Sequence, residues 1–195
     1  MDPLLQESLG LRARYDEEPS HSDQVTLLAL QLFDQLQGWH NFNARSRELL
    51  HCAALLHDIG WSQTPDGKGH HKESARLIRA HAWKNLLPDE VELVAQVARY
   101  HRKAPPQPDH EEFQALKASA QKSVMILGGI LRLADALDRT HSARIAGLEA
   151  QVTKDAVIVR VKPNGIWNAE RATFEAKSDM LQLAAKRAVH VEAQG

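Results

Sequence analysis

Along residues 1–145 the apolar positions recur at helical spacing and predict a run of helices separated by short polar breaks. Leu4, Leu5 and Leu9 predict a short first helix. Ser20 to Asp23 reads as a capping box opening a second helix, with Val25, Leu28, Ala29, Leu32 and Leu36 on one face. Gly38 to Ala44 reads as a loop. Leu49, Leu50, Ala53, Ala54 and Leu56 mark a strongly apolar helix, with Gly60 placed to end it. Residues 62–69, with Pro65, Gly67 and Gly69, read as a loop. Helical spacing returns over 71–83 and 89–102, the second opened by Pro88. Pro105, Pro106 and Pro108 form a rigid break. The long helix predicted over 118–139 carries a Gly128–Gly129 pair suited to close backbone approach.

Beyond residue 145 the period shifts from helical to alternating. Leu148, Ala150 and Val152 alternate with polar residues, and Val157, Val159 and Val161 do so after a Lys154–Asp155 turn, which predicts a β-hairpin. A last helix is predicted with Ala172, Ala176, Met180 and Leu183 on one face, then a short strand over Val189 to Val191. The fold class is therefore mainly α: a helical domain over 1–145 and a small α+β appendage of ββαβ type over 146–195.

Several polar residues sit where these helices should be apolar. His21 precedes Val25, Leu28 and Leu32, and His57 follows Leu50 and Ala53, each at helical spacing. His71 precedes Ala75 and Ile78, His101 follows Val94 and Val97, and Asp135 follows Leu131. Burying an isolated imidazole or carboxylate is costly unless it is paired or metal-bound. One divalent metal centre explains the whole set, with Asp58 beside His57 included. Imidazole and carboxylate together suit Mn, Fe, Co, Ni or Zn better than an all-oxygen magnesium site.

Composition narrows the alternatives. The chain has 195 residues, eleven of them histidine, with 24 Lys plus Arg against 25 Asp plus Glu. A formal charge of −1 argues against a duplex nucleic-acid binder. The single cysteine, Cys52, excludes an intramolecular disulfide framework and a CxxC zinc site. No apolar run approaches the ~20 residues that cross a bilayer, and the N-terminus does not begin like a signal peptide, so the expected setting is reducing cytoplasm.

Leu55-Leu56-His57-Asp58-Ile59-Gly60 resembles the doublet that names the HD-domain superfamily of metal-dependent phosphohydrolases. Within it, the chain is most similar to the C-terminal HD-type domain of exopolyphosphatases and guanosine pentaphosphate phosphatases. The segments that carry this are Gly69-His70-His71-Lys72-Glu73-Ser74-Ala75, Arg99-Tyr100-His101-Arg102-Lys103 and Leu131 to Arg139, and the likeness reaches Lys177-Ser178-Asp179-Met180. In the long enzymes of that family hydrolysis belongs to a preceding actin-like region. Its Gly-rich phosphate loop is absent here, so that route to exopolyphosphatase activity does not carry over. The full ligand set in a free-standing domain implies chemistry of its own.

The resemblance implies that His21, His57, Asp58 and Asp135 hold one metal. Asp58, the catalytic residue, bridges to a second held by His71 and His101. The cofactor expected is one or two divalent ions among Mn, Fe, Co, Ni, Zn and Mg, activating water for attack on a phosphoryl group. His71 is preferred to His70 as ligand, which leaves His70 either supporting a ligand from behind or facing substrate. Phosphate oxygens are expected to meet Arg102 and Lys103 first, then Lys72 and Arg139, with Lys68 and Arg132 as further candidates. Trp61 reads either as a base-stacking group or as a core cap, and Asp138 as an assistant of Asp135 or the partner of Arg139 or Arg144. His40, His110, His141 and His190 receive no role.

The expected function is metal-dependent hydrolysis of a phosphate ester or anhydride, with a nucleotide or polyphosphate as the small phosphorylated partner. The alternatives are a non-catalytic polyphosphate or (p)ppGpp-like binding module serving a separate catalytic partner, and a di-iron oxygenase. The hairpin face with Ile158, Arg160 and Lys162 reads equally as a contact between copies of the chain, giving a homo-oligomer, or as a solvated surface.

Overall fold

The computed structural model describes residues 2–194. Helix α1 (Pro3–Arg12) starts at Asp2, whose carboxylate accepts the backbone N–H of Leu4 at 2.7 Å. Helix α2 (Pro19–Gln35) buries Val25, Leu28, Ala29, Leu32 and Phe33 on one face. After the single turn α3 (Gln37–His40), helix α4 (Ala44–Leu56) is capped by the Asn43 side chain, which accepts the Ser46 N–H at 3.0 Å. Two 3₁₀ turns lead into α5 (His70–Ala80), and α6 (Pro88–Arg99), the short α7 (Glu111–Gln114) and the long α8 (Ala118–Ala136) follow. Helix α4 packs against α1, α2 and α6, and α8 against α2 and α6. Their shared apolar faces form the core. No helix among the described residues is long and apolar enough to cross a membrane.

Several local expectations change. Helix α2 begins at Pro19 with Glu18 as a cap that makes no side-chain bond, and the Ser20–Asp23 capping box does not form. Proline at the first helical position lacks one of the N–H groups a cap would satisfy, and Asp23 turns instead to Arg12. The stretch after Gly38 is not all loop: His40 closes α3, is 5 % exposed, and places Nε2 2.8 Å from the Phe33 carbonyl. Gly60 does not end a helix through a left-handed cap, because its φ is −78°. Its role is close approach: a Cβ there would lie 2.4 Å from the His70 carbonyl oxygen and 2.5 Å from the Ser74 nitrogen. Its N–H donates to the Ser74 hydroxyl at 2.9 Å. A side chain at this position would push α5 away from the end of α4.

The C-terminal segment forms β1 (Ile145–Val152), β2 (Ala156–Pro163), α9 (Asn168–Lys177), α10 (Asp179–Ala185) and β3 (Ala188–Ala193). Strand β2 is central, antiparallel to β1 and parallel to β3, and Val157, Val159 and Val161 are buried on one face. Arg160, on the other face, donates to Glu192 on β3 at 2.7 Å. The predicted last helix is two helices joined at Ser178, and the buried residues are Glu170, Phe174, Met180, Leu181 and Ala185. Ala172 and Ala176 are exposed and Leu183 is 62 % exposed, so the Ala172–Leu183 stripe is not the packed face. The packed face is instead Glu170, Phe174, Leu181 and Ala185, which keep helical spacing across Ser178, with Met180 at its edge.

Two features bind this unit to the helices. A sheet edge leaves backbone groups unpaired, and on β1 the side chains of α2 meet them. Gln24 donates to the Ile145 carbonyl at 2.6 Å, Gln35 to the Leu148 carbonyl at 2.9 Å, and the Gln31 and Gln35 amide oxygens accept from Leu148 and Ala150. On the other side α10 lies against the glycine pair of α8. A Cβ at Gly129 would meet the Leu181 backbone at 3.1 Å, and one at Gly128 would meet the Met180 methyl at 2.7 Å. The close approach read from the glycine pair is therefore made, and it carries Lys177 toward Asp135.

Candidate metal centre

Six polar side chains meet where helix ends converge. His21 stands in the first turn of α2, His57 and Asp58 just past α4, His70 at the start of α5, His101 just past α6, and Asp135 in the last turn of α8. They form two groups, His21–His57–Asp135 and Asp58–His70–His101, each offering ligand atoms within 4.8 Å of one another. Asp58 faces both. Its Oδ2 lies 3.9 Å from His21 Nε2 and 3.8 Å from His57 Nε2, while Oδ1 lies 3.2 Å from His70 Nε2 and 3.3 Å from His101 Nε2. Asp135 Oδ1 lies 3.5 Å from His21 Nε2 and 3.9 Å from His57 Nε2.

The imidazoles share one orientation. Nδ1 of His57 is 2.7 Å from the Ala54 carbonyl, that of His101 is 2.6 Å from Ala98, and that of His70 is 2.8 Å from Gly67. Nδ1 of His21 is 2.8 Å from Asp138 Oδ2. A carbonyl or carboxylate oxygen can only accept, so each Nδ1 carries the proton and a neutral ring leaves its lone pair on Nε2. His70 and His101 then point two lone pairs at each other across 3.2 Å, an arrangement satisfied by a metal ion bound to both or by a proton on one of them. His21 Nε2, His57 Nε2 and Asp58 Oδ1 are buried without hydrogen-bond partners. Anchored Nδ1 donors behind free Nε2 atoms are the support that metal-binding histidines use. The donor set therefore fits divalent ions.

Charge at the centre follows from the same contacts. Burial opposes ionisation of Asp58, but without metal the His57 and His70 imidazoles, when protonated, outweigh it and hold the carboxyl far below its usual range. Asp135 is likewise held well down against burial, chiefly by Lys177, whose Nζ is 2.5 Å from Oδ2. His21 is driven up to about 10: burial works against the proton, and the Asp135 and Asp138 carboxylates, with that of Asp58, outweigh it. Without metal, a proton competes for that nitrogen. Burial pushes His101 well down.

Five of the six expected ligands come together, and one does not. His70, not His71, joins Asp58 and His101. The helix begins at His70 and rotates its neighbour by about 100°, so His71 lines a different pocket with Lys72 and Lys103. Of the expected phosphate contacts, Arg102 and Arg139 line a cavity of about 250 Å³ against Asp58, His70, His101 and Asp135, joined by Lys177. Lys72 and Lys103 do not line it. Arg132 is buried and pairs with Asp179 at 2.9 Å, away from the centre. Asp138 pairs with His21 rather than with an arginine. Trp61, 46 % exposed, stands between this cavity and a second of about 420 Å³ lined by Asp16, Glu17, Glu18 and His21.

Two residues at the centre have no counterpart in the periodicity. His141 stacks on His21 with ring centroids 3.7 Å apart, and its Nδ1 is 2.7 Å from Glu18 Oε2. It sits in a loop, where helical spacing gives no signal. Lys177 reaches Asp135 from the end of α9. Only its place in the Lys177–Met180 segment marked it. The stretch that supplies these side chains, residues 7–181, matches the family model described as Ppx/GppA phosphatase, domain III, and the chain belongs to that family.

Proposed function

We propose that the protein is a metal-dependent phosphohydrolase of HD type, acting on a phosphate ester or anhydride, with nucleotides and polyphosphate as the leading substrates. The observation that carries this is the arrangement of four imidazole Nε2 atoms and two carboxylates, with every Nδ1 already tied to an oxygen. Divalent ions held there would supply Lewis acidity and an activated water. His21, His57 and Asp135 would hold one, and Asp58, His70 and His101 the other, with Asp58 presenting one oxygen to each. Arg102, Arg139 and Lys177 face Asp58 across the cavity of about 250 Å³ and are placed to orient and neutralise a phosphoryl group. Trp61 and His141 form a wall against which a leaving group can lie.

The Lys177–Asp135 contact gives this chemistry a cost. The ammonium holds Asp135 Oδ2 while Oδ1 faces His21 and His57, so an ion in the first group would bind Oδ1 against the repulsion of a neighbouring positive charge. Phosphate bound beside Arg139 would offer Lys177 a second partner and offset that repulsion, which couples substrate binding to metal binding.

The test is a phosphate-release screen with nucleotides, polyphosphate and simple phosphate esters, each with Mn, Co, Ni and Mg. Turnover that is lost in Asp58→Ala supports the proposal. Tight binding of a phosphorylated ligand with no turnover under any metal overturns it. That outcome favours a binding module, a reading consistent with the family model describing one domain of a phosphatase.

A further inference from the structure

A third cavity, of about 340 Å³, opens at the start of α5 and shares Arg102 with the cavity at the metal centre. It is lined by Gly69, His71, Lys72, Tyr100, Arg102 and Lys103, together with Arg99 and His110, and no carboxylate lines it. Arg99 is already paired with Glu112, and His110 Nδ1 lies 2.8 Å from the Tyr100 hydroxyl. Lys72, Arg102 and Lys103 have no ion-pair partner among the described residues.

Three further features converge there. Gly69 caps α5 in the left-handed region (φ 81°) without a side-chain bond, so the helix opens with the N–H groups of His70 and His71 unpaired. The positive end of a helix dipole and free N–H groups favour an anion. His71 is 7 % exposed, and neither of its ring nitrogens has a hydrogen-bond partner among the described residues. The ring lines the cavity, so its nitrogens are free to meet a ligand there. Lys103 is held at φ 64°, a conformation that non-glycine residues seldom adopt.

We propose that this cavity is a second phosphate-binding site, distinct from the metal centre and joined to it through Arg102. The ligand is a tetrahedral phosphate oxyanion, either free inorganic phosphate or a distal phosphoryl group of a ligand whose other end lies at the metal centre. Lys72, Lys103 and the His71 ring supply donors from the side chains, and the start of α5 supplies them from the backbone. Arg102 lines both cavities, so an anion in one competes for, or fixes, a guanidinium that serves the other. The wall between them is thin: the His70 and His71 rings have centroids 5.9 Å apart, and those of His71 and His101 6.5 Å. The site needs no metal of its own.

Equilibrium dialysis of the full chain against labelled inorganic phosphate at low salt, with and without EDTA, tests this. Wild type is expected to retain a saturable phosphate site in EDTA. Lys72→Gln combined with Lys103→Asn should weaken that site about tenfold or more, and Arg139→Gln should leave it within about twofold. Both lysines are exposed, and asparagine tolerates the left-handed backbone at 103. Loss of all phosphate binding in EDTA overturns the proposal, and so does a double variant that binds like wild type. A metal centre that proved absent would show instead as no effect of EDTA in any variant, so the two readings fail separately. Repeating the titration with tripolyphosphate separates the two sources. A ligand spanning both cavities is weakened by Arg139→Gln and by the double variant, whereas one confined to the second cavity is weakened by the double variant alone.

Discussion

Asp138→Asn tests how the centre is held together, because the change is nearly isosteric and Asp138 lines neither cavity at the centre. Both oxygens of the Asp138 carboxylate are engaged: Oδ2 with His21 Nδ1 at 2.8 Å, and Oδ1 with the Ala143 N–H at 2.8 Å. The residue is 2 % exposed, so water cannot replace either contact. An amide has one accepting oxygen. If that oxygen keeps Ala143, the amide N–H₂ faces His21, Nδ1 must become the acceptor, and the proton moves to Nε2, where a metal would bind. If it keeps His21, the N–H₂ opposes the Ala143 N–H. Loss of an orienting partner of this kind costs about 10- to 100-fold in metal affinity, or about 1.4–2.7 kcal/mol. Competition against a chelator of known affinity, read by cobalt absorbance, measures it. Affinity within about twofold of wild type in a folded Asp138→Asn chain would refute the argument from tautomer control.

Other substitutions probe separate links. Gly60→Ala forces a Cβ to within 2.4 Å of the His70 carbonyl. It should cost about 1–3 kcal/mol in urea unfolding and weaken metal binding; wild-type stability would mean that α5 moves freely. Lys177→Gln removes the cation beside Asp135 and should raise metal affinity while raising KM for a phosphate ester; unchanged values of both would sink the coupling. For pH, burial and the nearby charges of His70, Lys72, Arg102 and Arg99 push His71 from 6.5 down to about 4. A histidine lowered on folding stabilises fully above 6.5, and that contribution fades as pH falls toward 4, by at most about 3 kcal/mol. The stability of His71→Asn, followed by urea unfolding, should therefore fall less steeply than wild type over this window. Parallel curves would contradict the assignment.

The helical body was legible because its apolar stripes are long and regular, as in Val25–Leu36 and Leu49–Leu56. The hairpin followed from the alternation at Val157, Val159 and Val161. The expected site residues were legible for the same reason in reverse, as polar side chains on stripes that should be apolar. Where the count lost phase, the reading failed. His70 and His71 differ by one helical step, and the left-handed Gly69 that starts α5 at His70 sets which one turns inward. In the last helices Leu181 is inside and Leu183 outside because the packed face runs through Phe174 and Ala185, positions that the alanine stripe obscured. His141 and Lys177 arrive from a loop and a helix end, and their positions depend on tertiary packing: β1 held against α2 by glutamines, and α10 against the glycine pair of α8.

The central claim is that His21, His57, Asp58, His70, His101 and Asp135 form a metal centre. Elemental analysis of the purified chain, after incubation with Mn, Fe, Co, Ni or Zn and removal of excess metal, tests it most directly. The two ligand groups predict one or two divalent ions per chain in wild type, His71→Asn loaded like wild type, and metal lost in Asp58→Ala and reduced in His70→Asn. Metal at background in wild type, or full loading in Asp58→Ala, would contradict it.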